Sequence, residues 1–153
     1  MRFVTVMYLL TLAGCSDVEE PDHDHHHHDH ELITTVTLTL TSGDETVTAA
    51  WADPELDGDA VIDTLTLTEG VIYDASVGFL NEAEEDVEDI TEEIADEAEM
   101  HQVFLIGDAV EGPATQANPD ALLLHAYNDS DANGLPIGLE NTLEAVLSGT
   151  GDL

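Results

Sequence analysis

The sequence predicts a mainly-β fold, a small antiparallel β-sandwich of immunoglobulin-like type with one short acidic helix. Three observations carry this expectation. "LITTVTLTLTSGDETVTAAW" alternates apolar residues with threonine. "AVIDTLTLTEGVIYDASVGFLN" repeats the alternation. Only "EAEEDVEDITEEIADEAE" has apolar residues at helical spacing, Val87, Ile90 and Ile94. Period two with β-branched residues marks a half-buried strand, and spacings of three and four mark a helix.

The elements follow in order. Val36, Leu38 and Leu40 share one face of the first strand, and Thr35, Thr37, Thr39 and Thr41 the other. Ser42-Gly43-Asp44 supplies turn chemistry, and a second strand at 46–52 completes a hairpin. The spacing then predicts a strand near 60–68, a turn at Glu69-Gly70 and a strand near 71–80. Half-polar alternation of this kind suits antiparallel sheets with one wet face. A helix is expected over 86–98, where good helix formers run without Gly or Pro. "MHQVFLIG" predicts a strand over 100–106, and "ALLLHAYN" another, although Asn118-Pro119-Asp120 would also start a helix well. "LEAVLSGTGDL" stops where one more strand would help cover the sheet, so the expectation is a truncated chain with an exposed edge.

The front of the chain has a different character. Residues 1–14 read as a leader: Arg2 gives a minimal positive start, and "FVTVMYLLTLAG" is an apolar run too short to span a bilayer. It ends in Leu12-Ala13-Gly14-Cys15, which resembles the bacterial lipobox. That resemblance implies cleavage before Cys15, acylation of the cysteine and anchoring in the cell-envelope membrane. Ser16 after the cysteine implies, by the same likeness, the outer membrane. Residues 15–30 then form an acidic tether with too little apolar content to fold, and residues 31–153 form the β-domain. With one cysteine no intrachain disulfide is possible.

Charge excludes several classes of function. The chain has 35 acidic residues and one basic one, Arg2, for a net charge of −34. Nucleic acid and anionic lipid headgroups need Lys or Arg and are not expected partners. Cations and basic surfaces are. Part of the acidity suits a surface adapted to salt, where self-repulsion is screened over about 3 Å at 1 M and about 10 Å at 0.1 M.

Metal ligands concentrate in two places. His23, Asp24, His25, His26, His27, His28, Asp29 and His30 are consecutive, and they include six of the eight histidines. Neutral imidazole binds Zn²⁺, Cu²⁺ and Ni²⁺ well, and adjacent carboxylates offset the ion's charge. "DSDANGLPIGLE" matches the calcium-loop pattern D-x-[DN]-x-[DN]-G-x5-E. Asp129, Asp131, Asn133, the Leu135 carbonyl and Glu140 would be the oxygen ligands for Ca²⁺. Pro136 and the lack of a paired second loop count against an EF-hand. "DPELDGD", with Asp53, Glu55, Asp57 and Asp59, is a weaker candidate of the same kind. His101 and His125 read as strand residues with local hydrogen bonds.

No nucleophile elbow, phosphate-binding glycine loop or HExxH zinc motif occurs, so the chain is not expected to be an enzyme. From "VTLTLT", "ITEE", "HQVF" and "DANGLP" the chain is similar to a group of small, acidic, exported bacterial lipoproteins with a His-rich leader. The similarity runs over most of residues 23–140. Such proteins sometimes carry the label of a periplasmic-binding fold, which implies an α/β domain larger than this one; the strand alternation argues for the sandwich instead. The similarity implies export and no particular chemistry. The expected function is a membrane-anchored lipoprotein that binds or buffers divalent metal ions through its His/Asp tract. The alternative is a structural or adhesive envelope domain stiffened by calcium.

Overall fold

The computed structural model describes residues 32–83 and 85–153. The fold is mainly β, with one antiparallel-dominated sheet and one short helix. Strands β1 (Thr35–Ser42), β2 (Glu45–Ala52), β3 (Val61–Ile62), β4 (Ile72–Asn81) and β5 (Glu88–Asp89) precede helix α1 (Thr91–Asp96). Strands β6 (Val110–Glu111), β7 (Leu123–Tyr127) and β8 (Glu140–Ala145) follow it. The sheet order is β3-β2-β1-β4-β8-β7-β6, with β5 paired off this path to β4. The β6–β7 pairing is parallel and the others are antiparallel.

The alternation read from the sequence decides which side faces the core. Leu38 and Leu40 of β1 oppose Val77 and Ala75 of β4, while the intervening threonines oppose Gly78, Ser76 and Asp74. The curled inner face holds two apolar clusters. One surrounds Leu40, Tyr73 and Leu143, each at most 1% exposed. The other gathers Phe79, Ile90, Ile94, Ile137 and Leu139 under the helix. The hairpin turn is set by Gly43 at φ +61°, with Ser42 paired to Glu45. A positive φ at the first central residue only is what a type II′ turn needs, and its twist matches the strands.

Three sequence expectations are corrected. The strand expected over 60–68 is reduced to Val61–Ile62, because Leu65 and Leu67 turn inward to pack on the Leu40 cluster. There Tyr73 Oη accepts a bond from Thr68 N–H. The helix expected over 86–98 is cut to six residues, Thr91–Asp96. Glu88 and Asp89 pair with β4 instead, which leaves Val87 exposed, while Ile90 and Ile94 are buried as expected. The start of the helix is stitched to β4: Ile90 N–H donates to the Phe79 carbonyl and Phe79 N–H donates to Thr91 Oγ1. The segment 100–106 is irregular rather than a strand, held by Val103 N–H to the Ile137 carbonyl and by Tyr127 Oη to the Val103 carbonyl. Strand β8 lay hidden in the sequence and is central in the sheet, between β4 and β7.

Candidate cation-binding segments

The acylation candidate Cys15 and the tract His23, Asp24, His25, His26, His27, His28, Asp29 and His30 lie outside the described residues. The other candidates are all in view.

The loop from Asp129 to Glu140 joins β7 to β8. The carboxylates of Asp129 and Asp131 are directed at the loop's own backbone. Asp129 accepts three N–H groups, from Gly138 at 2.8 Å, Leu139 at 2.7 Å and Glu140 at 2.9 Å. Asp131 Oδ1 accepts two more, from Asn133 at 2.9 Å and Leu135 at 2.7 Å. The Leu135 carbonyl, expected to face an ion, accepts Asp131 N–H. Gly134 takes φ +82°, the sharp turn the pattern requires. Glu140 is the exposed first residue of β8. A Ca²⁺ ion in this loop would have to share oxygens that already serve N–H donors. A carboxylate has about four lone-pair sites, so sharing is chemically open to Asp129 and Asp131.

The loop over Asp53, Glu55, Asp57 and Asp59 uses its acids in the same way. Buried Asp53 accepts N–H groups from Asp57 and Gly58, and Asp57 accepts one from Asp59. Leu56 is the one non-glycine residue at positive φ, +55°, among the described residues. Among the described residues, no three His, Cys, Asp or Glu side chains come together as a metal-binding group.

The two remaining histidines differ. His101 Nε2 stands 3.6 Å from Glu97 Oε2, four residues back. It lines a shallow depression with Ala98, Met100, Asp131, Leu135 and Pro136. His125 is buried in β7, where its ring meets that of Tyr127 edge-on at 4.6 Å. Its partner is Asn141, a residue that no motif singled out. Asn141 Nδ2 donates to the Gly138 carbonyl, which leaves Oδ1 to face His125 Nε2 at 2.9 Å. A carbonyl oxygen can only accept, so Nε2 carries the proton. The signal that could have revealed Asn141 is its place in an alternating series with Leu143 and Ala145, all buried.

Charge placement has consequences for two titrations. Burial pushes the Tyr127 hydroxyl above the ordinary tyrosine range, and the nearby Asp129 carboxylate adds to the shift. Hydrogen bonds from Thr91, side chain and backbone, hold Asp89 below the usual aspartate range.

No family model matches this chain, and comparisons with curated proteins and with solved structures give no match either. The fold and these loops therefore have to speak through their own chemistry.

Proposed function

We propose that this chain is an exported lipoprotein, anchored through acylated Cys15 to the cell envelope at the outer membrane. In this reading it binds or buffers divalent transition metals, Zn²⁺, Cu²⁺ or Ni²⁺, through residues His23 to His30. The observation that carries the reading is the sequence itself: a lipobox-like Leu-Ala-Gly-Cys, a short acidic spacer, then eight consecutive His and Asp residues. Histidine ligands must be neutral to bind, so metal is released as pH falls below about 6. The role is binding rather than catalysis, and the β-domain is the scaffold.

Calorimetric titration of the processed chain with Zn²⁺ tests this, beside a variant with the six tract histidines changed to asparagine. The expected result is a saturable heat that the variant loses. Equal heats would overturn the metal reading, and an unacylated Cys15 in mass spectra of the cell-envelope product would overturn the anchoring.

A second reading, a structural or adhesive domain stiffened by calcium, is favoured by the complete pattern match over 129–140 and by the turn at Gly134. It predicts that Ca²⁺ raises the melting temperature of the histidine-free variant, because a ligand bound only by the folded state stabilises it. An unchanged melting temperature would remove it.

A further inference from the structure

The sheet ends at β3, a two-residue edge with nothing paired on its outer side among the described residues. Its two residues are the most exposed aliphatic side chains of the sheet, Val61 at 68% and Ile62 at 71%. Trp51, opposite Ile62 on β2, is 40% exposed. The register gives this edge two unlike faces. Ile62 and Trp51 share one face, and that face continues inward to Val36 and Phe79 of the core. Val61 belongs to the other face, where strand alternation also places Asp63.

The direction of the backbone groups follows from the hydrogen bonds. Asp63 N–H donates to the Ala50 carbonyl, and Ala50 N–H donates to the Asp63 carboxylate. Ala50 and Asp63 thus face each other, so by alternation the N–H and C=O of Ile62 point away from β2, toward open space. An outward-facing backbone beside exposed apolar side chains is a template for an added strand.

Charge selects the occupant. Asp57 and Asp59 precede the edge and Asp63 follows it, all exposed, and residues 31–153 contain no Lys or Arg. A second copy would bring the same carboxylates and no counter-charge, and like charges brought together cost several kcal/mol. We infer that the β3 edge docks an extended, basic segment of a partner protein. That segment adds as a strand outside Ile62, with apolar side chains over Trp51 and Ile62 and Lys or Arg toward Asp59 and Asp63. This interaction is separate from the metal chemistry of the N-terminal tract.

Trp51 is the chain's one tryptophan and so a built-in probe. The test titrates the whole chain at low salt with a short capped peptide that alternates lysine and valine, and follows Trp51 emission. The expected result is a saturable blue shift. N-methylation of every second peptide residue, made in both phases, removes the edge hydrogen bonds in one phase and not in the other. One phase therefore binds at least about tenfold more weakly, the loss expected of one or two backbone bonds. Ile62→Thr keeps strand preference but removes apolar contact and weakens binding similarly; Ile72→Thr, exposed elsewhere on the sheet, leaves it unchanged.

Three results would overturn the inference. The first is no shift at all. The second is binding indifferent to methylation and to Ile62, which is diffuse charge attraction. The third is a sedimenting dimer that Ile62→Thr abolishes, which assigns the edge to a second copy.

Discussion

The two acidic loops, Asp53–Asp59 and Asp129–Glu140, read alike in the sequence and are built alike, yet they do different amounts of structural work. In each, a leading aspartate turns back to accept the N–H groups of residues ahead of it. Asp53 serves Asp57 and Gly58, which are exposed and can turn to water. Asp129 serves Gly138, Leu139 and Glu140, of which the first two are buried, at the entry to a central strand. The difference teaches what carboxylates do in a domain without Lys or Arg. Lacking cationic side chains, they are satisfied by backbone N–H, and their worth depends on whether those donors have an alternative in solvent.

The largest expected effect lies on the buried side of this comparison. Gly138 holds φ +90°, and a Cβ there would sit 2.4 Å from the Val103 carbonyl oxygen. Gly138→Ala combines left-handed strain with a backbone clash and is expected to cost about 4 kcal/mol. Because Gly138 also accepts from Asn141 and donates to Asp129, denaturant unfolding should show the whole β7–β8 region failing together. A loss under about 1 kcal/mol would mean the loop yields freely, and the contrast between the loops would collapse.

Next come the two leading aspartates themselves. Asp129→Ala leaves three N–H groups without an acceptor, two of them buried, and is expected to cost about 3 kcal/mol. Asp53→Ala is expected to cost about 1 kcal/mol, since its donors can bond to water. Chemical denaturation of the two variants in parallel measures the ratio. Equal losses would show that burial of the donors does not set the difference.

How legible this molecule was in its sequence follows the same division. The β1–β2 hairpin and β4 were readable because their apolar residues alternate on a core face with polar residues between them. The burial of Ile90 and Ile94 was readable for the same reason in helical period. The length of the helix was not, because Glu88 and Asp89 gain more from pairing with β4 than helix propensity offers them. Strand β8 was obscured because Glu140 completes a calcium-loop pattern and "LEAVL" is rich in helix formers. Its alternation of Asn141, Leu143 and Ala145 includes a polar member, and only the partner His125, far back in sequence, makes that asparagine a core residue. The acids of 129–140 were found as oxygen donors; that their oxygens point at their own backbone depends on loop geometry, which a motif does not encode.

A smaller effect sharpens the comparison through pH. Tyr127 donates to the Val103 carbonyl, and burial, with Asp129 adding to it, raises its folded pKa above the ordinary tyrosine value of about 10. The fold thus holds this proton more tightly than the unfolded chain does. Its contribution to stability is complete below that ordinary value and is lost as pH rises through the raised one. Ultraviolet difference titration should show a late tyrosine transition that Tyr127→Phe removes. Asp129→Asn should move it partway down, because burial, the larger cause, remains. A transition that Asp129→Asn leaves in place would show that the carboxylate is not felt at the hydroxyl.

The smallest effect belongs to Asp89, which is exposed and outside both loops, and which uses the same device once more. Its carboxylate, two residues before the helix begins, accepts Thr91 N–H at 2.9 Å. The Thr91 hydrogen bonds favour the ionised form, so its folded pKa lies below that of a free aspartate, and its contribution is present above the ordinary range and fades as pH falls through the lowered value. Asp89→Asn keeps an acceptor oxygen but not the charge. It should lower stability by less than either loop variant at neutral pH, and by nothing once the wild-type carboxylate is protonated. Melting curves of the two proteins that stay separated at the lowest pH would trace the difference to the amide's shape, and would deny that charge on a short backbone-capping acid matters where solvent can reach the donor.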